Sequence, residues 1–257
     1  GFFEKVDTKS HYKLDHDGFV SRINPDVPTY EAINPDARMG FIPMGTGGDF
    51  RRSTGLMGTL AENMKRLSGT DSRECDLGLL TYIATKGQLE SRFYLNVASA
   101  GIGGVVDNTS NKMWKGLGGA ASFMLASTVS WIGYQNQHIQ ARIDDIEEVD
   151  DKFFNFVVAN GQYFGGGMWV APGAQIDDGK FQVVRMGNLT KAESLSLSTK
   201  IHKGQHLELE AVTRGDAQTV SMRTNSRTEV LLDVDGEQPG RLPALFEMCP
   251  SAITLKI

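Results

Sequence analysis

The sequence predicts an α+β fold whose larger part is an antiparallel β-sandwich. Three observations predict it. From Arg73 onward most of the chain falls into period-2 segments bounded by turn residues. Only two helical stretches interrupt them, too few to supply the crossovers of a parallel sheet. Before Arg73 the order differs: one short apolar strand, a glycine-rich turn and two helices.

Residues 4–37 are polar, carry Pro25, Pro28 and Pro35, and read as a long surface loop or insertion. Met39–Met44 reads as a buried strand that runs into Gly45-Thr46-Gly47-Gly48-Asp49-Phe50. Helices are expected at Asp49–Thr54 and at Thr59–Leu67, the second with Leu60, Met64 and Leu67 on one face. Strands are expected at Cys75–Ala84, Arg92–Ser99, Gln137–Ile143, Phe153–Asn160 and Lys180–Met186. They continue at Leu207–Val212, Thr219–Met222, Thr228–Val234, Leu245–Met248 and Ala252–Ile257. The intervening helical stretches are 117–131 and 190–202. The latter opens with Thr190 and Glu193 at capping-box spacing and stops near Gly204.

The 257 residues, 40% hydrophobic and 22% charged, have the composition of an ordinary globular protein able to bury a core. A net charge of −5 argues against bulk nucleic-acid binding, which needs a basic face. No run of eighteen apolar residues occurs, so no membrane-spanning helix is expected, and no signal-peptide pattern is read at the start. Cys75 and Cys249 fit a reduced cytoplasm better than a disulfide framework, with pairing across the fold as the alternative.

Three constellations carry chemistry. Gly45-Thr46-Gly47-Gly48-Asp49 follows a strand and opens a helix, a context that suits phosphate contact or simply a tight turn; its spacing is neither the dinucleotide nor the P-loop pattern. Asn160–Met168, with three successive glycines, leads through Ala171-Pro172-Gly173-Ala174 to Asp177-Asp178-Gly179. It reads as a sharply bent, close-approaching backbone or a wide hairpin loop, with the Asp pair as a turn or a cation site. Asp233-Val234-Asp235-Gly236-Glu237 ends a strand in a glycine turn. Asp235 and Glu237 there either serve a cation or a proton, or decorate a solvated hairpin.

Taken in this order, these segments resemble the diacylglycerol kinase catalytic family, which includes bacterial lipid kinases and sphingosine and ceramide kinases. Phe41–Phe50 is similar to the family's "IPLGTGNDF", with Gly48 where the family has Asn. Asp76-Leu77-Gly78 matches "DLG", Asn96–Gly101 matches "N-x-x-S-x-G", and Asn160–Lys180 matches "ANGRYFGGGMRIAPDAKLDDGL" at most positions. Lys203–His206 resembles "YKGTH", and Asp235-Gly236-Glu237 with Leu242-Pro243-Ala244 resembles the closing "DGE…LPA". The family's "GGDGTxNEVVNG" phosphate motif is absent. Gly1-Phe2-Phe3 looks like the end of the helix that follows it, so the chain is expected to be a fragment, inactive alone as a kinase.

The resemblance implies two domains: residues 1–74, a remnant of an α/β nucleotide-binding domain with an insertion at about 4–37, and residues 75–257, a β-sandwich domain that recognises lipid. It implies phosphoryl transfer from ATP, with Mg²⁺, to a lipid hydroxyl. Gly45, Thr46, Gly47 and Asp49 would line the nucleotide site. Asp76 would belong to a charge network around Mg²⁺, Glu237 would act as general base, and Asp235 would support it. Asp178 with the carbonyls of Gln175 and Lys180 would form a structural Mg²⁺ site. Asp107 lies where sphingosine kinases place an acid that reads the amino alcohol. Its alternative role is to cap a helix beginning near Asn108, and that cap favours the neutral acceptor diacylglycerol. Residues 116–131, with Trp131 and the preceding Met113 and Trp114, would hold an acyl chain or form a core helix. The expected partner is a lipid at a membrane surface and not nucleic acid, a homodimer is allowed, and the location is cytoplasmic and peripheral to the membrane. The rival classes are NAD kinase-like phosphorylation of a soluble nucleotide, whose nicotinamide-reading residues are not found, and a non-catalytic lipid-binding module, against which Asp235 and Glu237 argue.

Overall fold

Alternation of apolar and polar residues builds two antiparallel sheets that stack face to face. The computed structural model describes residues 3, 4, 6–42, 48–112 and 127–257. The chain runs through α1 (Thr8–His11), β1 (Tyr12–Leu14), β2 (Val20–Arg22), β3 (Arg38–Met39), α2 (Asp49–Thr54) and α3 (Leu60–Ser68). It continues through β4 (Ser72–Ala84), β5 (Leu89–Tyr94), β6 (Val97–Gly101) and α4 (Ile102–Lys112). Next come β7 (Gln137–Ile143), β8 (Glu147–Phe153), β9 (Asn155–Ala159), β10 (Tyr163–Phe164), β11 (Met168–Trp169) and β12 (Phe181–Met186). The last elements are α5 (Lys191–Lys200), β13 (Val212–Ala217), β14 (Thr219–Arg223), β15 (Leu232–Val234) and β16 (Gly240–Lys256).

One sheet has the order β5-β4-β16-β14-β7-β8, with β3 added in parallel to β16; the other is β13-β12-β9-β6-β15, all antiparallel. Strand β7 shows how sequence sets the faces: Ile139, Ala141 and Ile143 are buried at alternate positions, and the residues between them are only partly so. Leu80, Tyr82, Met222 and Phe246 of the first sheet meet Phe156, Val158, Phe181 and Leu232 of the second. Each such side chain contributes roughly 1.5–3 kcal/mol on burial. On the outer face of the five-stranded sheet, Val157, Val184 and Met186 are covered by Leu197 of α5 and by Ile201.

Residues 4–37 are more than a surface loop. They form α1 and the β1–β2 hairpin, and Val6, Tyr12 and Val20 cover Cys75, Leu77, Leu245 and Cys249 on the outer face of the other sheet. Both cysteines are buried and free, so they do not pair. Helix α2 spans the residues predicted, and both α3 and α5 start at complete capping boxes, Thr59–Glu62 and Thr190–Glu193. Arg92–Ser99 divides at Leu95-Asn96 into β5 and β6. The segment expected as a strand at Leu207–Val212 begins in a 3₁₀ turn, Gln205–Glu208, and β13 starts only at Val212. The two strands expected at Leu245–Met248 and Ala252–Ile257 are one strand, β16, with irregularities at 241–244 and 249–253. Of the 117–131 stretch only the end is described, and residues 127–133 are helical. No described helix is long and apolar enough to cross a membrane, which says nothing of a β-barrel.

Candidate active site

Helix α2 docks on the glycine-rich loop between β9 and β12. Asp49 Oδ2 accepts the Gly166 N–H at 2.7 Å, and Asp49 Oδ1 accepts from Arg52 Nη1 at 3.0 Å. One turn on, Ser53 Oγ donates to Asn96 Oδ1 at 2.8 Å and accepts the Gln162 N–H at 2.9 Å. The Gly161 backbone lies so close that a Cβ there would meet Asn96 Oδ1 at 2.0 Å and Ser53 Oγ at 2.7 Å. Behind the loop, Trp169 Nε1 donates to Gln162 Oε1 at 3.0 Å and stacks on Tyr163, while buried His206 contacts the Val170 carbonyl at 2.9 Å. Desolvation holds the His206 pKa below its ordinary value, so the ring is neutral at physiological pH.

Asn96 joins this junction to the C-terminal acidic turn. Asp235 accepts the N–H groups of Leu95 at 2.8 Å, Asn96 at 3.1 Å and Val97 at 3.0 Å. Asp235 and Gly236, with φ of 52° and 84°, are the two central residues of a tight hairpin turn closed by Val234 and Glu237. Positive φ at both positions is what a type I′ turn requires. The two acids therefore diverge. Asp235 is turned inward, and burial raises its pKa despite the three N–H donors. Glu237 is exposed and pairs with Arg92 Nη2 at 2.9 Å.

Asp76 belongs to a second, adjacent cluster. Its buried carboxylate accepts the N–H groups of Gly179 and Ser251, both at 2.7 Å. Asn160 Nδ2 bridges the clusters by donating to the carbonyls of Asp76 and Leu95, at 2.9 and 2.8 Å. Asp177 forms a bidentate pair with Arg73 at 2.7 and 2.8 Å. Asp178 is exposed, and its Oδ1 accepts the Lys180 N–H at 3.1 Å. Desolvation raises its pKa, reinforced by Asp76 and Asp216. Among the described residues no three His, Cys, Asp or Glu side chains form a metal cage. A cation here would rest on Asp178 and on backbone carbonyls such as those of Gln175 and Lys180. The crowd of like charges fits such a cation, which would relieve it.

Asp107 does not cap a helix. Helix α4 begins at Ile102, so Asp107 lies in its second turn, buried against Asp233. The expected cap near Asn108 fails because the 101–104 segment is itself helical from Ile102. Gly45, Thr46 and Gly47 of the first constellation and Met113, Trp114 and residues 116–126 of the apolar stretch lie outside the described residues. The structure thus brings Asp49, the glycine loop and Asp235 into one hydrogen-bonded network, with Asp76 and Asp178 beside it. Ser53, Asn96 and Asn160 tie the network together; none had been given a role, although Asn160 opens the Asn160–Met168 constellation. Asn96 stood in the quoted "N-x-x-S-x-G" segment, whereas a serine in a short helix gave no signal.

Residues 96–257 match the family model described as the YegS C-terminal NAD kinase beta sandwich-like domain. A diacylglycerol kinase of Staphylococcus haemolyticus is 24% identical over 81% of this chain, and the match covers 60% of that relative. The chain thus spans about 60% of the length of such relatives. A probable lipid kinase YegS-like protein of Pseudomonas aeruginosa is 30% identical over 58% of this chain and 45% of its own length. Two solved structures from Bacillus anthracis str. Sterne, one described as a diacylglycerol kinase, share the fold with TM-scores of 0.65 and 0.56. They are 22% and 18% identical, and each match covers 85% of this chain and 68% and 66% of theirs.

Proposed function

Because this chain belongs to the diacylglycerol kinase and YegS-like lipid kinase family, we propose that the full protein transfers the γ-phosphoryl group of ATP to a lipid hydroxyl, with diacylglycerol as acceptor. The observation that carries this reading is the continuous network from Asp49 through Ser53 and Asn96 to Asp235. It couples the nucleotide-side helix to the turn that bears Glu237, as a reaction between two bound substrates demands. Bound ATP with Mg²⁺ supplies the transferable phosphoryl group and neutralises its charge. Glu237 accepts the proton of the acceptor hydroxyl as that group acidifies late in the reaction. Its ion pair with Arg92 is mostly exposed and worth about 0–1 kcal/mol, so exchanging it for a hydroxyl costs little. Asp235 fixes the turn by its three N–H bonds, and Asp178 would hold a structural cation at the neighbouring loop.

The test is γ-phosphate transfer by the full-length protein to diacylglycerol and to sphingosine in mixed micelles. Diacylglycerol is expected to be phosphorylated in preference. Glu237→Gln is expected to lower kcat roughly 10²–10⁴-fold with little change in ATP affinity. Retention of turnover within about threefold would remove Glu237 from the role of base, and absence of turnover with every lipid would overturn the kinase reading.

A further inference from the structure

The N-terminal segment does not seal the outer face of β4 and β5. Between them lies a pocket of about 370 Å³, within the size range of small-molecule sites. Its floor is Leu77 of β4 with Phe93 and Leu95, and its wall is Phe3 and Val6. The pleat dictates this floor. Phe93 and Leu95 pack with the outer-face cluster, whereas Tyr94 between them packs into the core between the sheets. The wall is held in place by its own contacts. The Phe3 ring lies 4.5 Å from that of Phe93, and Tyr30 meets both edge-on at 5.3 and 5.2 Å. The Glu4 N–H donates to the Glu31 carbonyl at 3.1 Å, and Thr8 Oγ1 donates to Ser91 Oγ at 3.0 Å. The pocket is thus pre-formed, and a guest need not bear the cost of ordering it.

Asp235 also lines this pocket, so one end of it adjoins the turn that carries Glu237. The charged side chains on the lining are Asp235 and Glu4, both acids, and no Lys, Arg or His among the described residues joins them. A phosphate or a free carboxylate would meet like charge there and find no partner. Leu77, Phe93, Leu95, Phe3 and Val6 offer carbon, which favours a neutral apolar chain. We propose that the pocket binds an acyl chain of a neutral glycerolipid, with the N-terminal segment as one wall of the site. An acyl chain seated there lies beside the turn at which its own glycerol hydroxyl would react. That the chain belongs to the reacting acceptor rests on the lipid-kinase reading above; the binding of the chain does not.

The experiment uses the full-length protein in two arms. In the first, a diacylglycerol analogue with a diazirine in one acyl chain is photolysed with the protein in mixed micelles, and mass spectrometry locates the adducts. Adducts are expected on Phe3, Val6, Phe93 and Leu95, and excess unlabelled diacylglycerol is expected to suppress them. Adducts confined to other segments overturn the proposal. So does labelling of these residues in the present chain but not in the full-length protein, because the pocket is then covered there. In the second arm, lengthening the acyl chains of short, monomeric diacylglycerols is expected to raise kcat/KM about fourfold per methylene until the pocket is full. Met39 lines the pocket, so Met39→Trp fills it and is expected to flatten that rise. An equally steep rise in folded Met39→Trp overturns the proposal. If Met39→Trp does not fold, or if wild type phosphorylates no lipid, the labelling arm decides alone, which keeps a failure of the kinase reading distinct from a failure of the pocket.

Discussion

Replacing Gly161 by Ala tests the junction that seats α2. The added Cβ would sit 2.0 Å from Asn96 Oδ1 and 2.7 Å from Ser53 Oγ, neither of which is the loose end of a long side chain. Overpacking of this kind costs about 1–3 kcal/mol. Displacing Asn96 also breaks its bond from Ser53 and leaves a buried amide oxygen unserved, at about 1–3 kcal/mol more. Together a loss of about 2–6 kcal/mol is expected. Urea unfolding of this chain reads it as a lower midpoint at constant slope. Ser53→Ala removes the same bond from the other side, so the double variant is expected to lose less than the sum. A loss below about 1 kcal/mol in Gly161→Ala would mean that Asn96 and Ser53 give way freely, and would refute the claim that this contact fixes α2.

Asp235→Ala strips an acceptor from three N–H groups and is expected to destabilise by at least about 2 kcal/mol in the same assay, with Asp235→Asn milder. Asp178→Ala is expected to abolish any lowering of the melting temperature by EDTA, because a cation that binds only the folded state stabilises by mass action; an undiminished EDTA effect would remove Asp178 from the site. Asp233, Asp235 and Glu247 all have pKa values raised chiefly by burial. Each holds its proton more tightly when folded, so its contribution is full below the unfolded pKa of about 4 and is lost as pH rises through the folded value. Asp233→Asn removes one such titration, and its melting temperature is expected to fall less than that of wild type between about pH 5 and 8.

The parts of the fold legible in the sequence are those whose local signal and burial agree. Asp49–Thr54 follows a glycine turn, Thr190 and Glu193 cap α5, and β7 alternates cleanly. Strand β8, Glu147–Phe153, was illegible because five of its seven residues are charged and exposed. It is an edge strand held only by β7, and such charges deter further pairing. The β1–β2 hairpin was hidden in a polar segment although Asp17-Gly18 marks its turn. In the site, Asp235 was visible as a motif, but its inward rotation depends on distant N–H groups of residues 95–97 that no local pattern announces. Asp107 suggested a cap because the start of α4 carries two glycines, poor helix formers that the tertiary packing overrides. Asp233 could have been noticed as an acid between two apolar strand residues, Leu232 and Val234.

The N-terminal wrap also controls chemistry at the two thiols beneath it. Burial pushes both Cys75 and Cys249 up to about 12, so neither carries appreciable thiolate while Val6, Tyr12 and Val20 stay seated. Alkylation of either sulfur must then wait for that layer to lift, and its rate measures the opening free energy of the wrap. The cysteines act as a built-in clock for the fraying of one edge of the molecule, one that runs independently of any substrate.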